Sequence, residues 1–377
     1  MGLERFTAIE GARAWLAWAV VVSHLAVVSG IQGNPILMGG STAVICFMIV
    51  SGFVITHLLV SRPEGYGNYL TRRFFRLFPL FVLTCAVGYF TNDLQAYMLA
   101  KSSYASSYYA DPSAFSFAGV AKSNHEYFWQ HLIAHATMMH GAVSDNVLPY
   151  SSAAFNSPAW SISLEWQFYI VAPLIVALCK RERGALILSG AALIAWLCFH
   201  RGWLGSFAEP SLLPASAGYF AIGIASRLAY PKVATFNLRL GGFVALAVVI
   251  LPLIGVGNLP LLFWLILFGG LIAAPVGRAH GLFKICFESE LAVYLGSRSY
   301  STYLVHMPVI AVADWAAFDL IEPGGPYKTF TVLSLIVIPA VLIVSEVTYR
   351  LAERPGIHFG SWITRRRPKA NPDAASA

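Results

Sequence analysis

The sequence predicts an all-α, polytopic integral membrane protein with about ten transmembrane helices and both termini in the cytoplasm. Of its 377 residues, 57% are hydrophobic and only 11% are charged, whereas about 25% of the residues of a soluble domain are charged. The mean hydropathy is +0.65, and apolar runs long enough to cross a bilayer recur as far as residue 349. This composition excludes a soluble enzyme.

Ten apolar runs have the length of about 17 to 25 residues that a transmembrane helix needs. They lie near residues 12–31, 41–61, 75–92, 160–179, 184–200, 211–229, 239–256, 259–276, 298–318 and 329–349. The first run is long and is not followed by a small-residue cleavage site, so we expect it to remain as a helix and not to be removed as a signal peptide.

The distribution of basic residues predicts the orientation, because cytoplasmic loops of membrane proteins are enriched in Lys and Arg. Among the 25 Lys and Arg residues, those in loops on the side opposite the amino terminus are only Lys101, Lys122, Arg201 and Lys328. The amino terminus is therefore predicted to be cytoplasmic, and an even number of spans places the carboxyl terminus there too. The net charge of +7 follows mostly from this topology, so it indicates no nucleic-acid partner.

Two segments are predicted not to cross the membrane. Residues 93–159 form one long external loop, and its amphipathic run at 128–140 is too polar to span a bilayer. Residues 360–377 contain three consecutive arginines followed by Pro, Ala and Ser, which predicts a basic, disordered cytoplasmic tail. The predicted transmembrane domain is therefore 1–359.

Ionisable groups inside membrane spans are costly and therefore indicate functional sites. Arg13 and His24 are eleven residues apart in the first span, which is about three helical turns, so both lie on one helix face. The alternative is an interface arginine and a histidine bonded to a neighbouring helix. Arg72, Arg73 and Arg76 lie at the start of the third span, where guanidinium groups suit phosphate, although positive-inside placement also explains them.

Two later spans also carry polar groups. The fourth span has Glu165 beside the hydroxyls of Ser161 and Ser163, and the topology places this carboxylate a turn or two below the external surface. The ninth span has Tyr303 and His306, which puts a second imidazole within the membrane.

The cysteines and the remaining histidines predict neither a disulfide nor a metal site. The five cysteines have no paired spacing and at least four lie in apolar runs, so we expect packing roles for Cys46, Cys85, Cys179, Cys198 and Cys286. His131, His135 and His140 include an i, i+4 pair that suits zinc, but no carboxylate or cysteine has matching spacing.

Taken together, these segments resemble the membrane acyltransferases known as acyltransferase family 3. The similar segments are, in chain order, Ile9–Arg13 with His24, Phe47–Phe53, Arg73 with Arg76, Trp160–Glu165, Ser299–His306 and Glu353–Pro355. They cover essentially the whole chain in the order of the family. Two residues depart from the family pattern: Glu10 stands where aspartate is usual, and Ile45 stands where an acidic residue often precedes the phenylalanines of the second span.

The resemblance implies an O-acyltransferase of the bacterial inner membrane that takes an acyl group, most often acetyl, from cytoplasmic acetyl-CoA or another acyl-CoA. The acceptor would be a hydroxyl of an envelope carbohydrate, a glycolipid or a related molecule. The implied catalytic residues are His24, as base or acyl carrier, and Glu165, which would orient the imidazole or bind the acceptor. The implied donor-binding residues are Arg13, Arg73 and Arg76, and the implied supporting residues are Glu10, Ser161, Ser163, Tyr303 and His306.

The resemblance further implies that no metal is needed and that this is the stand-alone form, without the hydrolase-like domain that some members carry after the last span. A competing hypothesis is a transporter or flippase whose intramembrane histidines line a substrate path. It gives no reason for a phosphate-binding cluster at one mouth, and the sequence shows no inverted repeat. A third hypothesis is a membrane sensor or scaffold, which has no need of His24. The identity of the acceptor, the side on which it is modified and the oligomeric state stay open.

Overall fold

The computed structural model describes residues 6–31, 33–34, 37, 39–102, 116–234, 259–273, 277–321 and 324–365, and the predicted span at 239–256 lies outside them. Within this part of the chain the secondary structure is helical and includes no strand. The helices are α1 (Thr7–Val28), α2 (Gly40–Ser61), α3 (Tyr66–Lys101), α4 (Phe117–Glu126), α5 (Phe128–Ala136), α6 (Trp160–Cys179), α7 (Gly184–His200), α8 (Leu213–Val233), α9 (Leu259–Ile272), α10 (Arg278–Phe287), α11 (Glu290–Ser297), α12 (Ser299–Ile321), α13 (Gly325–Thr348) and α14 (Arg354–Ile363). The all-α prediction is confirmed.

Five helical stretches of the described chain are long and apolar enough to cross a bilayer. They are α1, α2, α3, α6 with the preceding 3₁₀ turn, and the continuous stretch Gly325–Ile363. The helices α7 and α9 are apolar but shorter. Polar side chains interrupt two other long helices, at Arg227 in α8 and at His306 and Asp314 in α12. The structure is therefore that of a helical membrane protein, and the total of ten spans and the side of the termini stay predictions.

Glycines let the helices that build the centre of the molecule approach closely. An added Cβ at Gly223 of α8 would lie 2.0 Å from the carbonyl oxygen of Ile49 in α2. An added Cβ at Gly296 of α11 would lie 1.7 Å from the carbonyl oxygen of Glu10 in α1. Small residues at such crossings allow backbone-to-backbone packing inside a membrane. The second crossing places the start of α12 beside the part of α1 that carries Arg13.

Helix α3 is longer than the span that the sequence predicts. Its 36 residues correspond to about 54 Å at the helical rise, well beyond the roughly 30 Å of a bilayer core. The predicted span near 75–92 lies within this helix, which continues to Lys101, so the first residues of the segment 93–159 are helical. Asn92 is buried there, and its Nδ2 donates a hydrogen bond to the Phe155 carbonyl oxygen at 3.0 Å. That residues 93–159 lie outside the membrane stays a prediction.

The carboxyl-terminal helix also continues past residue 360, where the sequence predicts the tail to begin. After a π turn at Tyr349–Glu353, α14 packs along α3. Gly360 lies against Phe75, and Arg72 Nε donates a hydrogen bond to Thr364 Oγ1 at 2.6 Å. The packed body therefore includes Thr364, and residues 366–377 lie outside the described chain.

The segment between α3 and α6 folds back onto the helices instead of extending away from them. We call its residues 117–159 the cap. Residues 151–156 are all buried, and Asn156 Nδ2 donates a hydrogen bond to the Leu304 carbonyl oxygen of α12 at 3.1 Å. Helix α6 consequently begins inside the molecule and not at its surface.

Three buried histidines hold the cap together in their neutral form. The rings of His135 and His140 are stacked with centroids 4.0 Å apart, and Phe81 of α3 is stacked against both. His131 Nε2 lies 2.9 Å from Ser123 Oγ. Burial lowers the pKa of His131 and of His135 to about 4, and it lowers the pKa of His140 well below its ordinary value. Among the described residues no group of His, Cys, Asp and Glu side chains is arranged to hold a metal ion.

These lowered pKa values predict that the cap loses stability in acid. An unfolded histidine takes up its proton near pH 6.5, whereas the folded His131 and His135 take it up only near pH 4. The unfolded cap therefore binds more protons between these values, so its stability is complete above pH 6.5 and falls as the pH falls toward 4. Hydrogen exchange at pH 7.5 and pH 5, corrected for intrinsic rates, should show faster opening at pH 5 in the cap but not in the histidine-free α13. Equal protection of the cap at both pH values would contradict this expectation.

Candidate active site

His24 of α1 and His306 of α12 are in direct contact in the centre of the molecule. His24 Nδ1 lies 3.0 Å from His306 Nε2, and His306 Nδ1 lies 2.6 Å from the Tyr303 carbonyl oxygen. His306 is fully buried, whereas His24 is partly accessible. One alternative raised from the sequence was a histidine of the first span that is bonded to a neighbouring helix. His24 has such a bond, and its partner is the second intramembrane histidine.

The hydrogen bonds of this pair define the tautomer of each neutral ring. A carbonyl oxygen only accepts, so His306 Nδ1 carries the hydrogen and His306 Nε2 is the acceptor. His24 Nδ1 must then donate to His306 Nε2. In this tautomer His24 Nε2 carries the lone pair, and the pair's own hydrogen bond does not use it. The arrangement therefore presents one nitrogen of His24 as a base or nucleophile, held in place by His306.

His24 lines a cavity of about 200 Å³, which we call the histidine cavity. Its wall combines hydroxyl, carboxylate and aromatic groups. The polar and aromatic lining residues are Ser23, Ser41, Phe117, Ser157, Trp160, Glu209 and Tyr303. No Lys or Arg is among the residues that line it, so this cavity suits an uncharged polar molecule better than a phosphate.

A second cavity, of about 80 Å³, lies on the side that the sequence predicts to be cytoplasmic, and we call it the arginine cavity. Its polar lining residues are Arg13, Ser51, Arg76, Ser161, Glu165, Ser299, Tyr300 and Tyr303. The Ser299 hydroxyl is buried without a hydrogen-bond partner in the described chain. A cavity with two guanidinium groups and an unpaired hydroxyl is suited to an anionic ligand that also has polar groups.

Tyr303 and Val44 line both cavities. Ser161 Oγ donates a hydrogen bond to the Tyr303 hydroxyl at 2.8 Å, and this hydroxyl donates to the Pro158 carbonyl oxygen at 2.9 Å. Tyr303 is therefore held in place where it borders both spaces. The structure also brings Ser161 and His306 close to Tyr303, and the roles expected of these residues stay predictions.

Glu165 lies in the arginine cavity and does not contact His24. Its Oε1 accepts hydrogen bonds from Ser51 Oγ, at 3.2 Å, and from the Tyr169 hydroxyl. We expected this carboxylate near the external surface, where it would orient the imidazole or bind the acceptor. It lies deeper because the cap buries the start of α6, a placement that the order of apolar runs along the chain does not reveal.

Ser163, the second hydroxyl of the same sequence segment, lines neither cavity. Its Oγ accepts a hydrogen bond from the Gly141 backbone nitrogen at 3.0 Å, so it fastens the cap to α6. Since the side chain is fully buried, this contact is its role in the structure. The repeated hydroxyls of the Trp160–Glu165 segment therefore serve two different purposes.

The three arginines at the start of α3 have three different environments. Arg76 lines the arginine cavity. Arg73 lies over the ring of Tyr169, 6.0 Å from its centroid, and its buried Nε has no hydrogen-bond partner in the described chain. Arg72 forms an ion pair of 3.1 Å with Glu64. Arg13 on α1, by contrast, is paired only at 3.5 Å with Glu10, so its guanidinium is available to the cavity.

Glu353 lies near the site, although its place in a motif was the only role that the sequence indicated for it. It is 3% exposed, lies in the π turn, and accepts a hydrogen bond from Ser301 Oγ at 2.7 Å. It also interacts electrostatically with Arg76 and Arg13. A buried carboxylate needs such compensation, and the negative charge of Glu353 favours the two cations at the cavity.

The described chain is similar to known proteins over nearly its whole length. A sequence profile described as an acyltransferase domain matches residues 6–350. Acyltransferase MdmB of Streptomyces mycarofaciens is 23% identical over 99% of this chain and 96% of its own length. Peptidoglycan O-acetyltransferase OatA of Listeria monocytogenes is 22% identical over 92% of this chain and 55% of its own length.

Other relatives, from Staphylococcus aureus, are 25% identical over 94% of this chain, which spans 58% of their length. The chain thus covers little more than half of several relatives that it matches. No solved structure is significantly similar.

Proposed function

We propose that this chain, which belongs to the membrane acyltransferases of acyltransferase family 3, transfers an acetyl group from acetyl-CoA to a hydroxyl of an envelope carbohydrate or glycolipid. The observation that carries the proposal is the pair of cavities that share Tyr303, one holding two arginines and the other holding His24. A donor rich in phosphate needs cationic side chains around it, whereas an uncharged acceptor needs a polar site without them. The two sites must also meet at one reaction centre.

The arginine cavity is the proposed donor site. Coenzyme A is cytoplasmic and carries several phosphates, which guanidinium groups bind through paired hydrogen bonds. Arg13 and Arg76 line the cavity, and Glu353 interacts electrostatically with both. The thioester arm would extend from them past Ser299 toward Tyr303. Arg73 does not line the cavity, so it would favour the donor phosphates only through the positive electrostatic potential that it adds to that of Arg13 and Arg76.

His24 supplies the base in the proposed reaction. Its Nε2 takes the proton of the acceptor hydroxyl as that oxygen attacks the thioester carbonyl carbon. A carbon–oxygen bond forms, the carbon–sulfur bond breaks, and the thiolate of coenzyme A receives the proton as it leaves. His306 stabilises the imidazolium that forms in between, because its Nε2 accepts the hydrogen bond from His24 Nδ1.

Transfer by the purified protein tests the proposal against a transporter and against a scaffold. The protein in proteoliposomes is supplied with radiolabelled acetyl-CoA on one side and a neutral oligosaccharide on the other. We expect free coenzyme A and acetylated sugar to appear in equal amounts. Movement of an intact substrate without thioester cleavage would indicate a transporter, and no reaction at all would support a scaffold.

His306 is expected to act as a positioning residue, and His306→Ala should lower kcat by about tenfold. This corresponds to about 1.4 kcal/mol, the contribution of one hydrogen bond between neutral groups. The KM for acetyl-CoA should stay unchanged, because His306 does not line the arginine cavity. His306→Gln, whose amide oxygen still accepts from His24 Nδ1, should recover part of the loss. Equal kcat values for the alanine and glutamine variants would contradict the assignment of the tautomer.

A further inference from the structure

We propose that Glu209 and Ser157 bind the acceptor hydroxyls in the histidine cavity and select an uncharged acceptor over an anionic one. The inference rests on the proposed function and adds to it the residues and the charge preference of the acceptor site. Neither residue belongs to a motif of the sequence, and both line the cavity that contains His24.

Glu209 lies in the segment between α7 and α8 and lines the histidine cavity. The segment is anchored by the fully buried Ser211, whose Oγ donates a hydrogen bond to the Gly141 carbonyl oxygen at 2.8 Å. The Ser211 backbone nitrogen donates to the Glu209 carbonyl oxygen at 2.7 Å. The side-chain carboxylate of Glu209, however, has no hydrogen bond or ion pair within the described chain, so its oxygens remain available to a ligand.

Ser157 adds a second unpaired polar group to the same wall. Its Oγ is buried and has no hydrogen-bond partner in the part of the chain that the structure describes. Its neighbours on both sides are fixed to α12, because Asn156 bonds to the Leu304 carbonyl oxygen and the Pro158 carbonyl oxygen accepts from Tyr303. A buried hydroxyl without a partner is unfavourable, and a hydroxyl of a bound acceptor would satisfy it.

The charges around Glu209 favour a ligand that donates hydrogen bonds and carries no negative charge. Burial, together with the nearby carboxylate of Asp145, raises the pKa of Glu209 to about 7. Among the described residues, the other titratable groups that line the cavity are His24 on α1 and Tyr303 on α12, and none of these residues is Lys or Arg. A phosphate or carboxylate placed there would meet a carboxylate without a compensating cation. A neutral sugar would place its hydroxyls on Glu209 and Ser157 and its ring against Trp160.

Glu209→Gln should therefore raise the KM for a neutral acceptor by about tenfold. The acceptor hydroxyl would then bond to a neutral amide instead of a carboxylate, and a hydrogen bond between neutral groups is weaker. Its kcat and its affinity for acetyl-CoA should change little, since the base and the donor site are intact. In the unaltered protein this KM should fall as the pH rises through 7, because the ionised carboxylate is the better acceptor, and the glutamine variant should lack this dependence. Ser157→Ala should raise KM by a smaller factor.

The test measures acetyl transfer in proteoliposomes to chitotetraose, which is neutral, and to tetragalacturonate, which is anionic and of the same length. Glu126→Gln, the same change at an exposed site outside the cavity, is the matched control. Titration calorimetry with acetyl-CoA shows that each variant is folded and binds its donor. We expect transfer to chitotetraose only, and a raised KM only for the two cavity variants.

The possible failures are distinguishable. If the unaltered protein acetylates neither sugar, the proposed function itself is contradicted. If it acetylates chitotetraose and Glu209→Gln leaves both KM and its pH dependence unchanged, the acceptor site proposed here is wrong while the activity stands. Equal use of tetragalacturonate, or an equal effect of Glu126→Gln, would also overturn the assignment.

Discussion

His24→Ala is expected to lower kcat by about 10²- to 10⁴-fold, the usual contribution of a positioned base. The reason is geometric: His24 Nε2 is the nitrogen whose lone pair is not used in the hydrogen bonds of the histidine pair, and His24 lines the cavity proposed for the acceptor. His306 cannot replace it, because His306 is fully buried and both of its nitrogens are hydrogen-bonded. The variant should insert, fold and bind acetyl-CoA normally.

Single-turnover assays of acetyl transfer by His24→Ala measure this loss directly. His358→Ala is the matched control, because His358 is exposed on α14 and lines neither cavity. The sequence left open whether His24 acts as a base or as an acyl carrier. Rapid acid quench of the unaltered protein, followed by mass spectrometry, distinguishes the two, because an acyl carrier would retain acetyl on His24. Turnover of the alanine variant within a few-fold of the unaltered protein would remove His24 from the reaction.

Arg76→Lys is expected to weaken the binding of coenzyme A by about tenfold. An arginine that only determines membrane orientation needs its charge and tolerates lysine, whereas one that forks a phosphate loses a hydrogen bond on the same change. A hydrogen bond to a charged group contributes about 1.5 to 3 kcal/mol, and tenfold corresponds to about 1.4 kcal/mol. Arg76 lines the arginine cavity, so we expect it to behave as an arginine that binds phosphate.

Titration calorimetry with coenzyme A and with 3′-dephospho-coenzyme A identifies the phosphate that Arg76 contacts. If it binds the 3′-phosphate, the penalty of the lysine variant should disappear with the dephosphorylated ligand. If it binds the diphosphate, the penalty should persist. Arg62→Lys, at an exposed position on the same side, should bind like the unaltered protein. Unchanged affinity of Arg76→Lys for both ligands would leave positive-inside placement as the explanation of this arginine.

Periodicity and composition predicted the helices well, because length and hydropathy are local properties of the chain. The predicted bounds 160–179 and 184–200 are those of α6 and α7. Hydropathy does not reveal how far a helix continues beyond an apolar run, because that depends on distant partners. The apolar run of the third span ends near residue 92, yet α3 continues to Lys101, and Asn92 bonds to Phe155.

The depth of each residue was the other property that the sequence could not supply. Glu165 was expected near the external surface, but the cap covers the start of α6 and places this residue with Arg13 and Arg76. Ser163 was expected to bind the substrate or to support the site, and it accepts a hydrogen bond from the cap. Glu209 was missed altogether, since nothing in a segment between two spans indicates that it folds inward to the wall of the histidine cavity.

The position of Tyr303 between the two cavities bears on the order in which substrates act. Because each substrate would reach this residue from its own side, neither has to leave before the other arrives, and both can occupy the protein together. Direct transfer in such a ternary complex gives a sequential mechanism with intersecting double-reciprocal plots. The acetyl group would then pass directly from one bound molecule to the other beside Tyr303, and the lipid bilayer would need no opening wide enough for coenzyme A.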